Sequence, residues 1–263
     1  YYGMANGLPL DDPESGFDPK HPFKNRDPRF YHDIVFDGFQ YINTTIAKDH
    51  PDYQFKYVQM YSGSNLRSSS DNGCRTGYYC QKLVPHQANK YDGMYNWGGA
   101  LQCDLPYMRL ADIYLMYAEA GAAAQGATYK SSKCNLTAED AINVLRDRVE
   151  AGHVAAKFAA DQHKFMDEVR RERAVELAFE GFRWNDLQRW LLLTEYPYNI
   201  KTSQEFKRVG DYDFTKNDPR DAEVTGWSEK TIVTRDFTEK HYLLPLKEDD
   251  VYLYPEFGQN PGW

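Results

Sequence analysis

The sequence predicts a mainly α fold, on three observations that fall between residues 105 and 190. Two amphipathic patterns are spaced as a helical hairpin, a third carries a dense charge motif, and glycines follow the first two as stop signals. The stretches on either side are aromatic and turn-rich, without a sustained helical period. With 263 residues and 41% apolar composition, the chain is long enough to bury a sizeable core.

The first helix is expected to open at Pro106, whose missing N–H is not needed in a first turn. Leu110, Ile113, Tyr114, Tyr117 and Ala118 follow at spacings of three and four, which predicts one buried face. The small residues from Ala120 to Ala124 would let a neighbour approach closely, and Gly126 marks the end. The second helix opens at Thr137, with Asp140 in the capping-box position. Ile142, Leu145 and Val149 continue it, and Gly152 ends it. The two helix starts lie about 30 residues apart, near the period of tetratricopeptide-like units, with no second copy at that period.

The third helix is expected from about His163 to Glu180. Glu172, Glu176 and Glu180 recur every fourth residue and so stack on one face, where like charges repel by a few tenths of a kcal/mol per pair. Such a stripe persists when cations meet it, and Arg109, Arg146, Arg148, Arg173, Arg183 and Arg189 are the candidates. With Val175, Leu177, Phe179, Phe182 and Trp184 around it, the stripe reads as a partly buried ion-pair network that joins helices. The competing reading is a glycoside hydrolase that uses the stripe as general acid and base. Abundant guanidinium groups oppose it, because they keep carboxylates ionised.

These residues carry a resemblance. Residues 108–120 (MRLADIYLMYAEA), 141–148 (AINVLRDR) and 172–190 (ERAVELAFEGFRWNDLQRW) are similar, in that order, to the C-terminal half of the SusD/RagB family. The early NRDPRFY at 25–31, the late HYLLPL at 241–246 and the terminal QNPGW at 259–263 resemble that family's other motifs. The resemblance implies a mainly α, SusD-like fold of tetratricopeptide-like hairpins with long loop-rich insertions. Residues 1–263 would form one domain, the C-terminal region of a longer protein whose N-terminal half is absent. It further implies a non-enzymatic, surface-exposed outer-membrane protein attached through an N-terminal lipid outside this chain. Such a protein captures oligosaccharides, or in some members peptides, for a SusC-like TonB-dependent transporter. A scaffold that binds only the transporter is a third possibility.

Residues 1–30 are rich in Pro, Gly and Asp and read as turns, with Asn25 to Arg29 pinning a loop. Asp33 to Phe39 alternates as a short strand around Asp37-Gly38, a hairpin-turn dipeptide. Residues 40–104 interleave aromatic and polar side chains with frequent Gly and Ser. Recognition is expected there, because loops held on a rigid scaffold are where binding usually sits. Flat rings stack on the C–H faces of sugars while amides and guanidinium groups bond hydroxyls. The candidate ligand-binding residues are Tyr95, Asn96 and Trp97 first, then Tyr91, Tyr57, Tyr61, Asn65 and Arg67.

The remaining features bound the function. A spread net charge of −8 argues against a nucleic-acid surface. No apolar run approaches the ~20 residues that span a bilayer. Seven scattered histidines form no catalytic or metal pairing, and no cofactor motif is present. Of the four cysteines, Cys74 and Cys80 are the most local pair, whereas Cys103 and Cys134 flank the first helix. Residues 191–263 predict no strong helix; Asp211 to Asp213 and Asp249-Asp250 read as solvated turns and Trp263 as docking on the helical body.

Overall fold

The computed structural model describes residues 1–68, 73–93, 106–254, 256 and 258–263. In chain order the regular elements are α1 (Pro28–Asp33), β1 (Ile34–Val35), β2 (Tyr79–Cys80), α2 (Leu110–Ala124), α3 (Ala138–Arg148), α4 (Ala156–Ala159), α5 (Gln162–Glu176), α6 (Phe182–Arg189), β3 (Ile200–Arg208), β4 (Val224–Thr234) and α7 (Glu248–Leu253). The fold is thus helix-rich, with two small antiparallel sheets, β1 with β2 and β3 with β4. Among the described residues no helix is long and apolar enough to cross a membrane.

The helical layer follows the expected hairpin. α3 opens on Thr137, whose hydroxyl accepts from Asp140 N while the Asp140 carboxylate accepts from Thr137 N, a complete capping box. α2 ends at Gly126, where a positive φ of 91° lets its N–H reach the carbonyls of Gly121 and Ala122. Ala118, Ala122, Ala138, Ala141 and Ile142 then pack with Phe165 and Val169 of α5. Side chains this small bring the helices close: a Cβ added at Gly121 would lie 2.8 Å from both the Ala138 Cβ and the Tyr129 ring.

Two expectations for α2 are corrected. The helix begins at Leu110, not at Pro106, because Arg109 keeps an extended backbone as its side chain reaches the acidic stripe. Its buried face is Ala111, Asp112, Leu115, Ala118 and Ala122, whereas Leu110 and Ile113 are 64% and 44% exposed. Asp112 is drawn inward by Arg173, whose guanidinium donates to it at 3.0 Å. Part of the expected face holds, since Ala118 is buried and Tyr114 and Tyr117 pack on the core, while Leu110 and Ile113 face out.

A second core lies beneath the loops. Phe23, Phe30, Phe36, Met60, Phe206 and Val224 form it, with Trp227 and Tyr78 packed at its margin. Phe206 and Val224 come from the β3–β4 hairpin, which corrects the expectation that residues 191–263 are a run of turns. Irregularities at Lys201/Thr202 and Glu205/Lys207 place buried Ser203 and Phe206 three residues apart, so the two-residue period is lost. Asp249 and Asp250 likewise sit in the first turn of α7. Asp37 and Gly38 do form a turn, but the strand there is only Ile34–Val35 and pairs with Tyr79–Cys80. Trp263 donates to the carbonyls of Lys240 and Leu243 beneath the Lys240 ammonium, so it seats on that turn rather than on the helical body.

The close α2–α3 approach predicts that Gly121→Val lowers stability by about 1–3 kcal/mol through overpacking, measurable as a reduced urea midpoint with an unchanged slope.

Candidate functional site

The acidic stripe is built by α5 and the turn after it. Glu172 and Glu176 are 1% and 2% exposed, and each carboxylate meets cations from several other segments. Glu172 accepts from Arg29 and, at 2.9 Å, from Arg146 Nε. Glu176 accepts from Arg29 at 3.0 Å, Arg109 at 2.6 Å and Arg148 at 2.7 Å. Glu180 accepts from Arg109 at 2.8 Å and pairs with Lys82 at 2.7 Å. Asp27 holds the far side of Arg29, and Glu168 holds Arg146 Nη2 and Arg171.

Arg109, Arg146 and Arg148 thus meet the stripe as the sequence suggested, whereas the other three named arginines do not. Arg173 joins Asp112 to Asp186, Arg189 binds Asp186 and Glu119, and Arg183 lies over the Tyr1 and Tyr198 rings. Arg29 and Lys82 supply the rest, from α1 and the turn after β2. Their distance in sequence left no periodic signal to find them by. Arg26, in the same early motif, pins the loop as expected by donating to the carbonyls of Gly3, Pro22 and Tyr2.

Glu176 and Glu180 border a cleft of about 740 Å³ that Arg29, Lys82, Arg109 and Arg148 also line. The electrostatics oppose acid catalysis by Glu180, and by Glu172 next along the stripe. Burial alone raises the Glu172 carboxyl, but Arg146 and Arg29 outweigh it and bring its pKa down to about 2. Burial likewise raises Glu180, and bonds from Arg109 and Lys82 bring it below the ordinary carboxylate range. A general acid needs the opposite shift, toward a proton held near neutral pH.

The candidate binding residues fall into separate places. Tyr95, Asn96 and Trp97 lie outside the described residues. Tyr91 donates to Asp52, beneath Lys90 and beside the His50 ring. Tyr57 stacks on Phe214 with centroids 5.8 Å apart. Tyr61 lies under the Arg208 guanidinium, and Asn65 is exposed and donates to Gln54 at 2.9 Å. Arg67 spends its donors within the fold, on Glu205 at 2.6 Å and on the carbonyls of Gln204 and Met60. Tyr57, Tyr61 and Asn65 are therefore grouped near the Gln54–Gln59 stretch, with Tyr91 reaching its flank through Asp52. The β3–β4 hairpin adds Arg208, Tyr212 and Phe214, which the sequence reading did not single out.

Cys74, Cys80 and Cys134 are free thiols, so the local Cys74–Cys80 bridge is not formed; Cys103 lies outside the described residues. Cys74 Sγ instead accepts from Gly77 N at 3.2 Å, and Cys80 sits in β2 opposite Ile34. Among the described residues no three His, Cys, Asp or Glu side chains are grouped to hold a metal.

The depressed Glu172 pKa fixes a pH dependence. Its contribution to stability is present above about pH 4.5 and is lost as pH falls toward 2. Glu172→Gln strands Arg29 and Arg146 and is expected to cost about 3–5 kcal/mol at pH 7. Urea titrations of both proteins should show that gap narrowing between pH 4.5 and pH 2.5.

The SusD family profile matches residues 1–263. A SusD-like protein of Bacteroides fragilis shares 25% identity at a TM-score of 0.68, with 100% of this chain and 45% of that one covered. A second, described as a SusD-like carbohydrate-binding protein of the same organism, shares 22% identity at a TM-score of 0.60, covering 97% and 46%. This chain therefore spans about 45% of the length of these solved structures. No curated protein sequence matches it significantly. The three helical motifs, the ion-pair network between them and the match along the whole chain place this protein in the SusD family.

Proposed function

We propose that this protein captures oligosaccharides without cleaving them and delivers them to a SusC-like TonB-dependent transporter. It would do so as a lipid-tethered protein exposed on the outer membrane, with peptides as the alternative ligand class. The observation that carries this reading is the neutralised carboxylate stripe. The acids beside the cleft, Glu176 and Glu180, are committed to Arg29, Arg109, Arg148 and Lys82, and those bonds hold Glu180 below the ordinary carboxylate range. Membership of the SusD family supports the same reading, as does a structural neighbour described as carbohydrate-binding. The α2–α3 hairpin is read as a tetratricopeptide-like unit, and residues 1–263 as one domain that holds the recognition loops steady.

Capture is assigned to the loops between residues 40 and 104. Tyr95, Asn96 and Trp97 are the foremost contacts, with Tyr57, Tyr61, Tyr91, Asn65 and Arg67 around them. Tyr57 and Tyr61 keep half-exposed rings, as stacking on a sugar requires, whereas Arg67 acts by holding its loop to β3.

Incubation with a mixed glycan pool should release no new reducing ends, and calorimetry should register binding of an oligosaccharide. Trp97→Ala and Tyr95→Ala should each weaken that binding by about tenfold, near the 1–1.5 kcal/mol of an aromatic contact, with helical circular dichroism unchanged. Glycan turnover abolished in Glu176→Gln would assign hydrolysis instead.

A further inference from the structure

The loop between β3 and β4 folds back onto the stretch that carries Tyr57, and the two enclose a small hollow of about 170 Å³. Phe214, from that loop, reaches this place because of the Asp37-Gly38 turn. A Cβ on Gly38 would stand 2.4 Å from the Phe214 ring, and its φ of 84° suits glycine alone. Arg208, the last residue of β3, donates through Nε and Nη2 to the buried Asp37 carboxylate at 2.6 and 3.0 Å. Its guanidinium plane lies over both Tyr61 and Phe214, 4.8 and 4.7 Å from the ring centroids. The arginine thus fixes the aromatic wall, and its charge is already met.

Tyr57 lies nearly parallel to Phe214, at 26°, and Tyr212 is tilted against Phe214 with centroids 5.0 Å apart. All three rings are half-exposed. Among the described residues, neither the Tyr53 nor the Tyr57 hydroxyl has a hydrogen-bond partner, although both side chains line the hollow. Asp213 joins them there. Its Oδ1 accepts from the Thr215 N–H and hydroxyl, which draw the carboxyl below its usual range, while Oδ2 faces only Lys216 at 3.6 Å. Burial, then Tyr53 and Asp213, push the Tyr57 phenol up, so these polar groups act on one another across the same space.

Ring faces beside two uncommitted phenols and a carboxylate with a spare oxygen suit a polyol with an apolar face. The hollow has room for about one sugar ring, and its two charged residues set the sign. Arg208 is met by the buried Asp37 at 2.6 Å, whereas Asp213 has only the solvent-exposed Lys216 at 3.6 Å, so the less fully compensated charge at the hollow is the carboxylate. We propose that the hollow beside the stacked Tyr57–Phe214 pair, lined also by Tyr53, Tyr212 and Asp213, holds one neutral pyranose unit of a captured glycan and discriminates against uronates and sulfated sugars. This rests on the glycan-capture reading and adds to it a subsite partly built by the β3–β4 hairpin.

The test is saturation-transfer NMR and calorimetry on the full chain. The probes are methyl glucopyranoside, methyl galactopyranoside, methyl mannopyranoside, neutral oligosaccharides built from these sugars, and glucuronate. At least one neutral sugar should bind, and more tightly than glucuronate. Phe214→Ala should weaken it about tenfold, and Tyr57→Phe, which keeps the ring and the packing, several-fold. Asp213→Asn should narrow the preference over glucuronate. Neutral sugars that bind equally to wild type, Phe214→Ala and Tyr57→Phe would overturn this subsite while leaving glycan capture intact. Equal or tighter binding of glucuronate would overturn the charge rule. Absence of binding by every sugar would overturn both the subsite and the capture function.

Discussion

Three carboxylates, Glu172, Glu176 and Glu180, stand along one face of α5 and the turn after it, and the fold depends on the cations that meet them. Left alone they would repel one another and pay the desolvation of burial. The cations come from four distant places: Arg29 in α1, Lys82 after β2, Arg109 before α2, and Arg146 and Arg148 in α3. Any packing that satisfies all three acids must bring those places to one point. Buried ion pairs add little net stability over apolar packing, but an unpaired member is costly. The network thereby acts as a register for the chain, penalising arrangements that leave a charge alone.

The same network separates structure from recognition. Its acids and bases are consumed by one another, and the proposed capture falls instead to the aromatic loops laid over the second core. Those loops are themselves anchored by charge. Arg67 ties the 60s loop to β3 through Glu205, and Arg208 ties β3 to the Asp37 turn. Near Tyr91, the Asp92 carboxylate accepts from the backbone of Asn43 and Thr44 and from Asn89, fixing two loop strands to each other. Rings presented by such anchored loops lose little freedom on binding, which is how a loop surface gains affinity.

Local rules made part of this legible in the sequence. The Thr137–Asp140 capping box, the Gly126 stop and the four-residue recurrence of glutamates are short-range patterns, and each appears in the structure where its residues stand. What sequence order hides was misread. Asp112 is buried against Arg173, and of the expected α2 face Tyr114, Tyr117 and Ala118 pack inward while Leu110 and Ile113 face out. Bulges in β3 break the alternation that would have revealed the hairpin, whose connecting loop supplies Phe214 and whose first strand ends in Arg208. Arg29 and Lys82 reach the stripe across more than ninety residues, a pairing that periodicity cannot encode.

The account stands on coupling between buried acids and buried bases, and a double-mutant cycle on Arg146 and Glu172 measures it most directly. Both side chains are 1% exposed and meet at 2.9 Å. Urea unfolding of Arg146→Met, Glu172→Gln and the pair together should give single losses whose sum exceeds the double loss by about 2 kcal/mol or more. Losses that add to within about 0.5 kcal/mol would show the two charges to be independent, and would contradict a fold registered by its ion pairs.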